Sequence, residues 1–383
     1  MLRVGWLWCW YNPRGLVPVR FATGGFARHL PGVTTRMPIE ATTGHAMTPS
    51  LPAVRLIRLR TWTIRLAAGY LLAVALSAVG VWFGADDWWP PTLLIFGPRW
   101  VVALPLLLLI PLAGCTRSGR AGVILVVAAI LFAGPVAGGR LSIQSLSTSD
   151  TTAAIRVMTW NTMGLDLAQS GFKEFVVSQR LDIVLLQEAG AGPPLTVLPP
   201  GWHVVTGPSG GVVASRFPLR FESGLGPLEL GNPGGIGWFE AETPVGPLSV
   251  VCVHLPTPRP GIDAMIHKKL RGIPDLRLAI EDRDRASRTA RAWVGDPSGG
   301  LLVAGDFNMP VESTIYQRDW GEFGNAFSDA GNGWGTTKQT SWFGVRIDHI
   351  LYAPPWTCRR VMVGPAMGSD HRPVVAELVL TAE

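Results

Sequence analysis

The chain has 383 residues, 48% hydrophobic and only 16% charged, with a formal net charge of +6. That length accommodates one large domain and an appendage. The charge is lopsided: residues 1–150 hold 13 Lys+Arg and 4 Asp+Glu, a net of +9, whereas residues 151–383 hold 20 and 23, a net of −3. The basic balance therefore belongs to the apolar N-terminal part. It excludes overall basicity as a nucleic-acid footprint for the remainder, since phosphate-tracking surfaces need clustered cations.

Residues 1–54 are predicted to be a disordered or mis-assigned extension. Residues 1–46 are rich in Trp, Gly, Arg and Pro without periodicity, and Met47 is an alternative start. Three apolar stretches follow, 66–85, 93–114 and 121–139, and residues 55–140 read as a membrane anchor of three transmembrane helices. The first stretch is 20 residues without a charge, enough to cross about 30 Å of hydrocarbon. The second carries Arg99 near one end, where it is expected to snorkel. Arg55, Arg58, Arg60 and Arg65 before the first stretch, with Arg117 and Arg120 between the second and third, outnumber Arg99 and Arg140 on the other side. Cations favour the cytoplasmic face, so three crossings put the C-terminal part outside the cytoplasm.

Residues 141–154 are Ser/Thr-rich and read as a linker with a reach of about 20 Å. From residue 155 the texture becomes short β-rich runs between Gly/Pro turns. Strands are predicted at 155–160, 183–187, 211–214, 238–243, 248–254, 301–304, 347–352 and 373–379. Helices are predicted at 172–180 and 276–294, the second with Leu276, Ile280, Ala286, Ala290 and Trp293 on one face. Many strands and few helices imply two packed sheets with helices outside. Cys9, Cys115, Cys252 and Cys358 lack metal-site spacing and read as free thiols; a Cys252–Cys358 disulfide is the alternative in an oxidising compartment.

Polar residues recur where the predicted strands end: Asn161, Gln187 and Glu188, His254, Asp306 and Asn308, Asp348, and Asp370 with His371. Converging on one rim, they suit phosphoryl chemistry. A hard cation such as Mg²⁺ or Mn²⁺ takes a few carboxylate and amide oxygens and keeps its waters, and an imidazole beside a carboxylate is held in one tautomer. His349 reads as a satisfied strand histidine, and His203 and His267 carry no signal. The run 267–291 mixes both signs, as a solvated helix face does.

The strings TWN at 159–161, LLQE at 185–188, VHL at 253–255, GDFN at 305–308, RIDHI at 346–350 and SDHRPV at 369–374 resemble the endonuclease/exonuclease/phosphatase family in order and spacing. The resemblance covers nearly all of 155–380 and implies a four-layer αββα sandwich of the α+β class for residues 155–383, which the three transmembrane helices read above would precede. It makes Glu188, with Asn161 and Asp370, the site of Mg²⁺ or Mn²⁺. It has Asp306 and Asn308 position water and phosphate, Asp348 orient His371 as acid or base, and His254 bind a phosphate oxygen. Arg288, with Arg285 as the alternative, is the candidate for substrate phosphate. The membrane-anchored architecture also resembles VanJ-type proteins. The expected function is hydrolysis of a phosphate ester or anhydride on a lipid-linked substrate at the outer membrane face. The rival readings are an extracytoplasmic nuclease and a catalytically inactive membrane interaction protein.

Overall fold

Apolar side chains on both faces decide the central strands, because a strand covered on both sides reads as a continuous hydrophobic run. A computed structural model describes residues 51–142, 154–189, 197–231 and 233–381, so the expectations for the N-terminal extension and most of the 141–154 linker lie outside the described residues. Two six-stranded sheets form the centre. One runs, edge to edge, Trp356–Val363, Val374–Leu380, Ala154–Asn161, Ile183–Gln187, Val212–Ser215 and His203–Thr206. The other runs Leu219–Leu225, Gly235–Thr243, Gly246–His254, Leu302–Asp306, Asp348–Tyr352 and Gly324–Asn325.

The two-residue strand period sorts the core into layers. Val157, Ile183, Leu185, Val250, Cys252, Ala304 and Ile350 interleave between the sheets. Met158, Trp160, Val184 and Leu186 point the other way and are covered by the short helix Phe172–Ser178. Val251, Val253 and Val303 are covered by Ala286 and Ala290 of the long helix Ile273–Val294, with the partly buried Ile280 and Trp293 alongside. The predicted strands are all present. The strands Leu219–Leu225 and Trp356–Val363 escaped the sequence reading because their outward positions are polar or exposed. Cys252 and Cys358 are buried free thiols, so the alternative disulfide is absent.

The apolar N-terminal part differs from expectation. Two helices are long and apolar enough to cross a membrane, Val54–Phe83 within α1 (Leu51–Phe83) and Gly119–Val136, which joins α4 (Gly119–Leu131) to a π-helical turn. The predicted second span is not one continuous helix. It is α2 (Trp89–Phe96) followed by Arg99–Cys115, which includes α3 (Leu106–Cys115), bent by 105° at the break. Pro98 is the physical reason: it has no N–H to continue the ladder, and it forces Gly97 into extended backbone.

Arg99 does not snorkel. It donates to Glu312 of the catalytic part at 2.9 Å, with side-chain exposures of 13% and 3%. The turn after α1 is seated more deeply still. Asp86 pairs with Arg283 of the long helix at 3.2 Å, both side chains 2% exposed, and accepts from Ser313 Oγ. Thr314 Oγ1 donates to Ala85 O, and Gln317 Nε2 to Trp82 O. After the last apolar segment, Arg140 bridges Gly333, and Ser142 N donates to Asn332 Oδ1. The first residues assigned to a loose linker are therefore pinned to the domain.

Removing one member of a buried pair leaves the other charge without compensation, at a cost of about 3–5 kcal/mol. Asp86→Ala in the detergent-solubilised full chain is expected to lose stability on that scale in chemical unfolding. Asp86→Ala combined with Arg283→Met should recover most of it, because the orphaned charge is then gone.

Candidate active site

Strand register assembles the site. The parallel pair Gly246–His254 and Leu302–Asp306 sets His254 opposite Asp306, and the antiparallel neighbour sets Asp348 opposite Asp306. In the other sheet, Asn161 pairs with Gln187, so Glu188 leaves its strand at the corresponding end. Gly305 makes this close packing possible, since a Cβ there would collide with the carbonyl of Val253. Glu188 and Asn308 hold left-handed backbone, φ 51° and 52°, which non-glycine residues adopt at a cost that functional sites tolerate.

The two sheets meet through Asn161. Its side-chain nitrogen donates to Glu188 Oε1 and to Asp306 Oδ2, each at 3.0 Å. His254 Nε2 lies 3.5 Å from Glu188 Oε1 and 4.0 Å from Asp306 Oδ2. Asn308 N donates to Asp306 Oδ1, while its side-chain amide donates to Leu255 O, so this residue braces the Asp306 loop. His371 Nδ1 lies 2.9 and 3.1 Å from the two Asp348 oxygens, and its Nε2 lies 3.8 Å from Asp306. The His371 loop is held by Trp160, whose indole N–H donates to His371 O, and by Ser369, which donates to Asn161 O.

Burial lowers the pKa of His371, but Asp348 and Asp306 outweigh it and raise it to about 9. The ring is therefore an imidazolium at neutral pH, stationed beside carboxylates. Asp306 is raised as well, for a different first cause. Burial, then the charge of Asp348, raise it above the usual carboxylate range, against the opposing pull of His371 and His254. A desolvated carboxylate raised in this way and a protonated imidazole form a base and an acid a few ångströms apart.

Donors for a cation are at hand. Ligand atoms of Asp306, Asp348 and His371 lie within 4.8 Å of one another. In that trio Asp348 is committed to His371; outside it Glu188 is the more open oxygen donor, while Asn161 turns its amide nitrogen to Glu188 and accepts from Met163 N through its oxygen. Asp370 is divided. One oxygen pairs with Lys338, a residue the sequence reading did not single out, and the other is buried with no hydrogen-bond partner, 3.9 Å from His371 Nε2. Half-exposed Glu188 and the orphaned Asp370 oxygen fit a hard divalent ion.

Arg288 lies outside this constellation. It is exposed and pairs with Asp284, and Arg285 pairs with Asp282. The helix does send an arginine inward, but it is Arg283, which touches Asn308 O at 3.4 Å. Its partner Asp86 lies 197 residues away and no local pattern announces it. His349 is satisfied by Met309 O and Asn325, and burial, with Arg346 nearby, lowers its pKa to about 4.

The family profile described as the Endonuclease/Exonuclease/phosphatase family matches residues 158–371. The chain belongs to this family, and its activity class is that of a metal-dependent phosphoric ester hydrolase. No curated protein matches the sequence. Among solved structures it is similar to an endonuclease/exonuclease/phosphatase from Beutenbergia cavernae DSM 12333, at 18% identity and TM-score 0.43, covering 60% of this chain and 72% of that one. A Bacteroides thetaiotaomicron mannosyl-6-phosphatase gives 15% identity and TM-score 0.40, covering 59% and 100%. D. rerio TDP2 complexed with single-strand DNA product gives 14% and 0.43, covering 59% and 99%.

The His371–Asp348 pair yields a pH test. An imidazole whose folded pKa is raised adds stability in full below its unfolded pKa of about 6.5. That stability is lost as pH rises through about 9. Thermal unfolding of the metal-free full chain in EDTA should weaken across this window. Asp348→Asn should flatten the dependence, and an unchanged profile would contradict the assignment.

Proposed function

We propose that the protein is a membrane-anchored phosphohydrolase that cleaves a phosphate ester or anhydride on a lipid head group at the outer membrane face. The observation that carries this reading is where the apolar segments dock. Asp86, whose N–H donates to Thr92 Oγ1, and Phe96 pack against Arg283, which touches Asn308 O, and Arg99 holds Glu312, four residues beyond Asn308. The anchor thus abuts the loop that carries Asp306 and Asn308, which keeps the reacting groups near the bilayer surface. An architecture of anchor 55–140 and catalytic domain 155–383 accords with the VanJ-type resemblance.

Three crossings are supported by the ends of the apolar segments. The end of α1 and Gly138, after the last segment, both meet the catalytic domain, through Asp86 and near Glu312. The turn between Cys115 and Gly119 is on the other side, where Arg60 Nε donates to Thr116 O. The bent pair then links one side to the other. Arg55, Arg58, Arg60, Arg117 and Arg120 gather on the side away from the catalytic domain, which makes it the cytoplasmic side. Alkaline phosphatase fused after Arg140 is therefore expected to be active, and the same reporter fused at Arg117 inactive; the reverse pattern would move the domain inside.

In the proposed chemistry, Glu188 and the free oxygen of Asp370 would hold Mg²⁺ or Mn²⁺, with Asn161 orienting Glu188 through its amide nitrogen. The bound ion supplies neutralisation of phosphate charge. Asp306 takes the proton of the attacking water, Asn308 fixes the Asp306 loop, and His254 donates to a phosphate oxygen. The His371 imidazolium, kept charged by Asp348, gives its Nε2 proton to the leaving oxygen. Net charge of −3 in residues 151–383 favours a lipid phosphate over duplex DNA.

Full-length protein in liposomes, offered a lipid phosphate and plasmid DNA in parallel, tests the substrate class; efficient nicking without lipid turnover replaces this reading with a nuclease. Glu188→Gln should lower turnover by more than the roughly hundredfold that loss of a supporting residue costs a metal site. EDTA should act likewise, reversed by Mg²⁺ or Mn²⁺, and full activity in EDTA contradicts the mechanism.

A further inference from the structure

Away from the catalytic rim, cations outnumber anions in one buried place. Arg99 and Arg346 lie beside Glu312, with Arg140 near Arg346, and it is Arg99 that makes the salt bridge to Glu312. Arg346 is 6% exposed, its guanidinium stacked over the Phe327 ring at 4.8 Å. Its Nη1 and the Nε of Arg140 are buried without a hydrogen-bond partner. Desolvated, unpartnered guanidinium donors are costly, and a phosphate matches them in both charge and geometry.

A cavity of about 470 Å³ lies against these charges. Arg99, Trp100, Phe132 and Ala137 of the apolar segments form one wall, and Trp334 and Arg346 of the catalytic domain form part of the other. Gly138, at φ 74°, lets the walls approach: a Cβ there would lie 2.8 Å from Glu312 Oε1 and 3.1 Å from Arg99 Nη1. Trp100 and Trp334 are 45% and 59% exposed, and the nearby loop leaves Trp342 81% exposed. Exposed tryptophans beside apolar helices favour the head-group level of a bilayer. The cavity also borders the catalytic loops, since Pro310 lines it two residues after Asn308 and Arg346 stands two before Asp348.

We propose that this cavity binds the phosphate of a membrane lipid whose head is a terminal phosphate, with Arg346 as its ligand, Arg99 being held by Glu312, Val136 O and Ile95 O, and with Phe132 and Ala137 against the first carbons of its chain. The occupant's class rests on the lipid-phosphate reading above, but its test reads binding and not turnover. Phosphatidic acid serves as the probe, as a minor fraction in phosphatidylcholine nanodiscs holding the full-length protein, and native mass spectrometry reports the lipid retained. Retention of phosphatidic acid over phosphatidylcholine is expected. Arg346→Gln should weaken it by about tenfold, the loss of one charge-assisted contact. Ala137→Phe, which fills the cavity from its apolar wall, should do the same and carries the test if Arg346→Gln proves unstable in thermal unfolding. Arg220→Gln, at an exposed arginine outside the cavity lining, should leave retention unchanged. Equal retention of phosphatidylcholine, or retention untouched by either cavity variant, overturns the proposal. Lipid-phosphate hydrolysis by a protein that retains no phosphatidic acid would sink the cavity alone, whereas retention without hydrolysis would sink the catalytic reading alone.

Discussion

Carboxylates crowd together at the end of two sheets, and the rest of the site is arranged to tolerate them. Asp306 and Asp348 are both 1% exposed on adjacent strands, with Glu188 linked to Asp306 by one amide. Like charges this close in a dry place resist joint ionisation. The protein answers with an imidazolium at His371, an amide at Asn161, and Lys338 on Asp370. What remains least compensated is one Asp370 oxygen, buried without a hydrogen-bond partner, and half-exposed Glu188, which a divalent ion would suit. Gly305 and the left-handed turns at Glu188 and Asn308 are the backbone cost of gathering these groups.

The same logic of buried charge joins the two halves of the chain. Arg283 lies inside the catalytic domain, but its carboxylate comes from the turn after α1; Glu312 likewise takes its cation from Arg99. Such pairs add little net stability over apolar contacts, but they specify one arrangement because either charge alone is heavily penalised. The apolar segments are therefore part of the enzyme's framework, and they brace the loop bearing Asp306.

Local pattern carried much of this. Continuous apolar runs marked the central strands, and the switch to Asn161, Glu188, His254, Asp306 and His371 at their ends marked the rim, because strand termini and their loops are contiguous in sequence. The break at Pro98 was written in the residues yet masked by the hydropathy around it. Arg283 was passed over for Arg285 and Arg288 because a mixed-charge helix does not declare which arginine faces inward. Asp86, Lys338 and Arg346 act through partners distant in sequence or through a cavity, and no periodicity encodes those meetings.

The seat of Asp86 also bears on how the chain matures. The turn that completes the environment of Arg283 is presented in place only when α1 and the segments after it are laid out beside one another. The C-terminal part, made last, then closes its long helix over a carboxylate supplied by an earlier stretch of chain. A fragment begun after the apolar segments would keep a bare guanidinium under the Asn308 loop, so the domain cannot be cut free of those segments without cost.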